Sequence, residues 1–269
     1  MKRYFLIAMM SVFAMAFTAC GSKESGPKQL VLYYSQTGAT QAVAQELQKV
    51  LGADIEAIEL ENPYTGTYAE TITRVGLERK NGELPTLKPL KADLSKYDVI
   101  FLGYPIWYGT YAMPIASLVN GYDFEGKKIV TFCTFGSGGL EPAIADLKKA
   151  LPKAEIAENG FGIRNARVAK APKELNRFLV ENEYVKGCVE AIPGYSEMRP
   201  VTEEEKQIFD AACGDYQFPL GTPVLVGKRG TSESVDYIYE VEGNGAKSTI
   251  YVTVDNTPEA KPEFTRVVR

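Results

Sequence analysis

The stretch Tyr34-Ser35-Gln36-Thr37-Gly38-Ala39-Thr40 decides the fold, because it joins two segments with different apolar patterns. Residues 29–34 before it form a short apolar run that is typical of a buried strand. Residues 41–51 after it carry apolar side chains at i, i+4, i+7 and i+8, which predicts an amphipathic helix. A strand that passes directly into a helix predicts the first part of a β-α-β unit.

The connecting stretch itself suits one phosphate group. The hydroxyls of Ser35, Thr37 and Thr40 can each donate to a phosphate oxygen, and the amides at the N-terminus of the following helix, from Ala39 on, point the same way. Gly38 allows the backbone to approach a ligand closely. Taken alone, the stretch is equally consistent with ordinary helix capping by a hydroxyl beside a turn glycine.

The alternation of strand and helix continues along the chain. Further strands are predicted at residues 55–60, 98–103, 128–132 and 156–163, and amphipathic helices follow near residues 142–151 and 175–179. This order predicts an α/β domain with a five-stranded, doubly wound parallel sheet and helices on both faces. A ligand of such a domain lies beyond the carboxyl ends of the strands.

Two more loops follow strands at that edge. The segment Pro105-Ile106-Trp107-Tyr108-Gly109 contains the only tryptophan of the chain, and large rings there can form walls for a flat heterocycle. The alternative is that these rings fold back onto the core. Residues 134–139, which include Thr134, Phe135, Gly136, Gly138 and Gly139, offer backbone amides to the polar edge of such a ring, or form a simple flexible turn.

Composition narrows the function classes. The 269 residues are 45% hydrophobic and 24% charged, carry a net charge of −4 and contain no histidine. These values indicate a folded globular protein, and the absence of a basic run argues against a nucleic-acid partner. The lack of histidine excludes Ser/His and Cys/His dyads and imidazole zinc sites. No metal site is predicted, so a cofactor, carboxylates or thiols are expected to supply the chemistry.

Residues 29–185 resemble a flavodoxin, and specifically the bacterial flavodoxin-like proteins with a G-x-P-I-W-x-G segment, here Gly103–Gly109. The F-C-T segment at residues 132–134, followed by glycines, belongs to the same resemblance. It implies strand order 2-1-3-4-5 and FMN as cofactor. The phosphate of FMN would lie at Ser35, Thr37, Gly38, Ala39 and Thr40. Its ring or ribityl chain would lie beside residues 105–109, and the pyrimidine edge would meet Thr134, Phe135, Gly136, Gly138 and Gly139.

Residues 199–269 have a different pattern and are predicted to form a second domain after a linker at 186–198. A capping box at Thr202–Glu205 opens a helix with Ile208, Phe209 and Ala212 inward. Period-two runs then flank Asn244-Gly245, a strong hairpin signal. We expect one helix against about four antiparallel strands. The arrangement vaguely resembles a cystatin-like module, but fold likeness alone does not indicate protease inhibition.

The N-terminus is predicted to be a targeting segment. Two basic residues, an apolar run at 4–17 and small residues before Cys20 form a secretory signal pattern over residues 1–19. The ending resembles a bacterial lipobox, in which Cys20 is acylated, and residues 20–28 would form a lipidated tether. An ordinary signal peptide or a short anchor is the alternative. The expected location is the bacterial cell envelope, with the lipid on Cys20 in a membrane that the sequence does not specify.

The remaining cysteines differ in their surroundings. Cys133 lies inside an apolar strand and is predicted to be a buried free thiol. Cys188 and Cys213 flank the predicted domain junction, and the sequence leaves open whether they form a disulfide.

Three functions fit these patterns. The first is an FMN-binding lipoprotein that transfers electrons in the cell envelope to an unidentified redox partner. The second is an NAD(P)H-dependent flavin or quinone reductase. The third is a flavin-free lipoprotein in which residues 199–269 dock another protein. The first is preferred over a substrate-specific oxidoreductase, because the sequence contains no second dinucleotide fingerprint for NAD(P)H, although some flavodoxin-like reductases lack one too.

Overall fold

A computed structural model describes residues 26–214, 216–243 and 245–269. The predicted signal segment and Cys20 lie outside these residues, so the predicted lipidation stays a prediction. Within the described ranges, no helix combines the length and the apolar character needed to span a membrane.

The first part of the chain alternates strands and helices as expected. In chain order the elements are β1 (Gln29–Tyr33), α1 (Ala39–Leu51), β2 (Asp54–Ala57), α2 (Tyr68–Asn81), β3 (Val99–Trp107), β4 (Thr110–Tyr111), α3 (Met113–Gly121), β5 (Lys128–Phe135), α4 (Leu140–Ala150), β6 (Glu155–Ile156), β7 (Phe161–Arg164) and α5 (Ala171–Glu181). Two short 3₁₀ helices span Leu94–Lys96 and Asn165–Lys170.

The strands form a parallel sheet in the order β2-β1-β3-β5, beyond which β6 and β7 both pair with β5. This confirms the doubly wound fold with order 2-1-3-4-5, with the predicted fifth strand divided in two. The β4 strand pairs antiparallel with the end of β3. Because the main strands run the same way, the loops that follow β1, β3 and β5 emerge at one edge of the sheet.

Apolar side chains on both faces of the sheet hold the helices in place. On one face α1 and α5 pack through residues such as Leu47 and Leu175. On the other face α2, α3 and α4 pack through Val75, Leu118 and Leu147. The loops at the sheet edge are therefore supported by two buried layers.

The structure extends β3 through part of the segment that was predicted as a loop. Ile106 pairs with Tyr111 and Trp107 pairs with Thr110, so Pro105–Trp107 are strand residues of a hairpin. Tyr108 and Gly109 close the hairpin with φ angles of 51° and 77°. A two-residue turn with positive φ at both central positions matches the twist of the flanking strands. The prediction of a loop from Pro105 on was wrong because this local pairing was not recognised.

The predicted fifth strand at 156–163 is interrupted. The chain leaves the sheet between β6 and β7, and the two pieces pair with opposite ends of β5. The intervening Glu158-Asn159-Gly160 favours a turn over a continuous strand.

The C-terminal module (residues 199–269) forms a separate antiparallel sheet with one helix. Its elements are β8 (Arg199–Pro200), α6 (Glu203–Cys213), β9 (Thr222–Gly230), β10 (Ser234–Gly243), β11 (Ala246–Asp255) and β12 (Glu263–Val268), and the strand order is β12-β11-β10-β9-β8. The short β8 adds one strand to the four expected. Phe209 of α6 packs against Tyr239, whose hydroxyl donates to the Glu205 carbonyl at 2.9 Å.

The predicted capping box and hairpin are both present in this module. The Thr202 hydroxyl accepts from the Glu205 amide, and the Glu205 carboxylate accepts from the Thr202 amide. Hydrogen bonds from Arg199 are the main cause that lowers the pKa of Glu205, to about 2. Gly243 pairs with Ala246 at the end of the hairpin.

The three cysteines that the structure describes differ in burial. Cys133 is buried and free, which confirms the prediction, and burial raises the pKa of its thiol. Cys188 is exposed and Cys213 is buried, and neither is paired. The possible disulfide is therefore absent from the structure, because Cys213 belongs to the core of the C-terminal module.

Candidate functional site

The loop after β1 is open at the N-terminus of α1. Gly38 is the residue before the helix, has φ of 89°, and has no neighbouring atom within 4 Å of the position a Cβ would take. Its amide donates to the Ser35 hydroxyl at 3.2 Å. The amides of the first helical turn have no intrahelical acceptor, as at any helix start. The exposed Thr37 hydroxyl lies on this same loop, which makes the loop a suitable site for a phosphate.

Thr40 and Thr134 are brought together below this loop. Both side chains are buried, and their hydroxyl oxygens lie 2.8 Å apart. One hydroxyl donates to the other, so the proton of the accepting hydroxyl remains for a ligand oxygen. The structure thus places Thr134 beside the phosphate loop, whereas the sequence predicted it at the ring's pyrimidine edge.

Tyr34 and Gln36 brace the phosphate loop, a role that the sequence analysis missed. The Tyr34 hydroxyl donates to Gln36 Oε1 at 2.6 Å, and Gln36 Nε2 donates to the Tyr64 carbonyl at 2.7 Å. Burial is the main cause that raises the pKa of Tyr34, so its hydroxyl keeps its proton. The polar Gln36 two positions after the aromatic Tyr34 was a signal for this brace.

Trp107 lies against the brace. Its ring meets Tyr34 and Tyr64 edge-on, with centroid distances of 5.8 and 5.2 Å. The ring is only half-buried and packs at the margin of the core. Trp107 therefore combines both roles considered for it, since it contacts the core and still presents surface at the edge of the sheet.

The Tyr108 side chain lies over α2. Its side chain is 54% exposed, its hydroxyl donates to the Ile72 carbonyl at 3.0 Å, and the Arg79 guanidinium lies 5.3 Å from its ring. The positive φ of Tyr108 is unusual for a residue with a large side chain. Trp107 and Tyr108 thus have different partners, since Trp107 contacts Tyr34 and Tyr64 whereas Tyr108 contacts Ile72 and Arg79 of α2.

The glycine-rich loop after β5 lies between the hairpin and the C-terminal module. Gly139 precedes α4 with φ of 106°, and a Cβ there would lie 2.8 Å from the Ile106 side chain. A Cβ on Gly138 would instead lie 2.3 Å from the Val267 carbonyl oxygen of β12. Phe135, which ends β5, is buried. Only glycines allow this double contact.

The three loops follow neighbouring parallel strands and lie at one edge of the sheet. The loop after β1 offers hydroxyls and helix amides, the hairpin offers an indole ring, and the loop after β5 offers amides. Such a set suits a phosphate joined to a flat polar ring. Residues 28–179 match the family model described as Flavodoxin.

The chain belongs to the flavodoxin family.

Solved structures also resemble the flavodoxin part of the chain. A candidate flavoprotein from Bacteroides uniformis is 25% identical over 56% of this chain and 99% of its own, with a TM-score of 0.50. A candidate flavoprotein from Bacteroides eggerthii is 27% identical over 60% of this chain and 99% of its own, with a TM-score of 0.49. A flavoprotein from Lactobacillus acidophilus, solved in complex with FMN, is 22% identical over 54% of this chain and 97% of its own, with a TM-score of 0.45. No curated protein matches the sequence.

Arg164 is a further site residue that the sequence analysis missed. It ends β7 of the flavodoxin domain, and its Nε donates to the Gly136 carbonyl at 2.7 Å. Its Nη1 donates to the Phe264 carbonyl of β12 at 2.8 Å. Burial lowers the pKa of Arg164, but a guanidinium remains charged at neutral pH. Its position at the carboxyl end of a parallel strand was the signal that could have identified it.

Ion pairs fix the C-terminal module beside the flavodoxin domain. Arg167 Nε and Lys170 Nζ contact the two oxygens of Glu263, each at 2.8 Å, and Lys170 also contacts Asp255 at 2.9 Å. Burial alone would raise the pKa of Glu263, but hydrogen bonds from Arg167 and Lys170 lower it. Arg266 Nη1 meets Glu141 of α4 at 2.7 Å. Because the pKa values of Asp255 and Glu263 are lowered, these two carboxylates are charged at neutral pH in the docked arrangement.

Proposed function

We propose that this protein is an FMN-binding electron carrier of the bacterial cell envelope. The observation that carries the proposal is the open loop at Gly38, which leaves a helix N-terminus and the Thr37 hydroxyl available for a terminal phosphate. Membership in the flavodoxin family supports FMN as the cofactor that supplies this phosphate together with a flat ring.

The residues at the sheet edge fit FMN in size and polarity. Ser35, Thr37 and Thr40 would hold the phosphate together with the amides of Gly38 and Ala39. The hairpin residues Pro105–Gly109, with Trp107 as the exposed indole, would lie beside the ring or the ribityl chain. The loop Gly136–Gly139 would meet the polar edge of the ring.

Electron transfer is favoured over catalysis on a substrate, because the polar side chains near these loops are engaged in hydrogen bonds that orient neighbouring groups. FMN supplies the ability to accept and release electrons when it is bound. Glu78, the buried carboxylate nearest to the aromatic brace, accepts hydrogen bonds from Tyr64 and Arg74 at 2.5 and 2.8 Å. Both hydrogen bonds link Glu78 to neighbouring side chains, so this side chain supports the orientation of the aromatic brace.

The proposed location in the cell envelope rests on the N-terminal sequence. The signal pattern and the lipobox-like ending at Cys20 support export and acylation, which would leave the folded part tethered to a membrane by residues 20–28. Labelling cells with a palmitate analogue tests this proposal, and Cys20→Ser should abolish the label.

The test of the cofactor uses residues 21–269, which contain every described element. We expect the purified protein to show flavin absorption or to acquire it on titration with FMN, and to bind FMN more tightly than riboflavin. A protein without affinity for FMN would contradict both flavin-based functions and favour the flavin-free alternative.

A second measurement separates a carrier from a reductase. After loading with FMN, the protein is mixed with NADH or NADPH in a stopped-flow instrument. A carrier should be reduced slowly unless a separate donor enzyme is present. Rapid reduction by either nucleotide alone would favour the reductase.

A further inference from the structure

The last strand of the chain contacts the backbone of the loop predicted to meet the ring. The Val267 amide of β12 donates to the Ser137 carbonyl at 2.7 Å. Gly138 lies so close to the Val267 carbonyl that no side chain fits between them. The contact joins backbone atoms of the loop after β5 to backbone atoms of a strand in the other sheet.

Arg164 extends this contact to the preceding peptide. Its guanidinium bridges the Gly136 carbonyl and the Phe264 carbonyl, and it lies 4.2 Å from the centre of the Phe264 ring. Of two successive carbonyls of the loop, the one at Ser137 is thus held by the module directly and the one at Gly136 by Arg164 of β7, which is itself bonded to the module.

Holding these carbonyls also fixes the direction of two amides. In a trans peptide the C=O and the following N–H point in opposite directions. The Ser137 amide therefore points away from Arg164, and the Gly138 amide points away from Val267. Gly139 of the same loop lies against Ile106 and Gly109 of the hairpin. Neither amide donates to a protein acceptor in the part of the chain that the structure describes. Acceptor atoms on the edge of a ring between loop and hairpin would satisfy both.

We propose that the C-terminal module positions the flavin loop, and that Arg164 and the Val267 amide are the positioning groups. This inference rests on the proposed FMN function and assigns a role to residues 199–269. The module is an intramolecular partner that orients two adjacent donors toward the ring, at a distance from the phosphate loop.

The charges around the contact support a docked module. Lys170 and Arg167 pair with Glu263, Lys173 pairs with Glu233 at 3.0 Å, and Arg266 pairs with Glu141. Basic groups come from the flavodoxin domain in three of these contacts and from the module in the fourth. The pairs hold β12 against the loop without touching the two amides.

The experiment compares the FMN and riboflavin affinities of residues 21–269 with those of Arg164→Met. The substitution removes both hydrogen bonds and keeps the apolar stem. We expect the dissociation constants of FMN and riboflavin to rise by the same factor, about tenfold, because both ligands carry the ring. Arg164→Lys, which keeps the charge but can hold fewer bonds, should recover part of the affinity. Lys206→Met on α6, whose side chain pairs with Asp210, is the control and should bind as the unchanged protein.

Hydrogen exchange of the flavin-free protein gives the second readout. Amides of residues 263–268 should exchange faster in Arg164→Met, while those of β1 and β3 keep their protection. If Arg164→Met does not fold, Arg164→Lys carries the same comparison.

The outcomes separate the two proposals. If the unchanged protein binds FMN and Arg164→Met binds both ligands equally well despite faster exchange, the positioning role is wrong and the FMN function stands. Unchanged exchange in Arg164→Met would also contradict the positioning role. If the unchanged protein binds neither ligand, the FMN function itself is wrong, and the positioning role is overturned with it.

Discussion

The loops after β1 and β5 share the same local structure but have different neighbours. Each follows a buried parallel strand, and each ends in a glycine with positive φ, Gly38 or Gly139, that precedes a helix without a side-chain cap. Space around Gly38 is open, whereas the neighbouring Gly138 of the second loop lies against β12.

The difference shows that local sequence prepares a binding loop but does not decide what covers it. Both glycines permit close approach by another group. At Gly38 the group is expected to be a ligand, and at Gly138 it is a strand from the far end of the chain. The comparison can be tested by disturbing each loop separately.

The largest effect is expected from Thr37→Val combined with Thr40→Val in the open loop. Each hydroxyl is proposed to donate to a charged phosphate, and such a hydrogen bond contributes about 1.5–3 kcal/mol. The FMN dissociation constant should therefore rise at least about 100-fold, and that of riboflavin much less. Fluorescence titration with the two ligands measures this difference.

The single variants provide the control for stability. Thr37 is exposed, so Thr37→Val should leave the melting temperature unchanged. Thr40→Val leaves the buried Thr134 hydroxyl without its partner, which should cost about 1–3 kcal/mol of unfolding free energy. Equal loss of affinity for FMN and riboflavin would contradict the assignment of this loop to the phosphate.

An intermediate effect is expected from Gly138→Ala in the covered loop. The added Cβ would lie 2.3 Å from a backbone oxygen of β12, so the module or the loop must move. Overpacking of this kind typically costs about 1–3 kcal/mol. Thermal unfolding should show the loss, and hydrogen exchange should place it in residues 263–268.

Gly136→Ala is the matched substitution in the same loop. No atom lies within 4 Å of a Cβ at Gly136, and its φ is not positive. The melting temperature should therefore stay within error of the unchanged protein. An equal loss of stability in both variants would mean that the contact with β12 is not what makes Gly138 special.

The smallest effect on stability is expected from lowering the pH. Asp255 and Glu263 have lowered pKa values, Asp255 chiefly through a hydrogen bond from Lys170 and Glu263 because hydrogen bonds from Arg167 and Lys170 outweigh its burial. A lowered carboxyl pKa stabilises the docked form above the ordinary carboxyl range, and this contribution is lost as the pH falls below about 4. Each partly exposed pair contributes about 0.2–1 kcal/mol.

The protection factors of residues 263–268, which are the intrinsic exchange rates divided by the observed rates, should therefore fall between pH 6 and pH 3.5. The amide of Ala42 in the first turn of α1, whose acceptor is the Gly38 carbonyl, should keep a constant protection factor over the same pH range. If both regions opened together, the ion pairs of the module would not be responsible.

The sequence predicted the sheet well because each strand and helix carries its own periodicity. The order of strands and the loop at Ser35–Thr40 followed from short stretches, and family resemblance added the cofactor. The hairpin at Trp107–Thr110 was missed because Pro105 and Gly109 favour a loop locally, while pairing of Ile106 with Tyr111 decides otherwise.

The contacts that shape the site depend on residues far apart in the chain. Thr40 meets Thr134 across 94 positions, and Arg164 meets Phe264 across 100. Hydroxyl and guanidinium groups have no periodicity that would indicate such partners. Sequence patterns could therefore identify the loops, whereas only the folded chain shows which groups hold them.

The contact at Val267 has a consequence for the order of events in biosynthesis. Val267 lies in the last described strand, far from Ser137 in the sequence. Synthesis proceeds from the N-terminus, so the phosphate loop can form as soon as β1, β3 and α1 have assembled, while Ser137 must wait until β12 has been synthesised. A polypeptide that stops before β12 would fold most of its parallel sheet and lack this contact, so loss of β12 should act as a local defect in the loop.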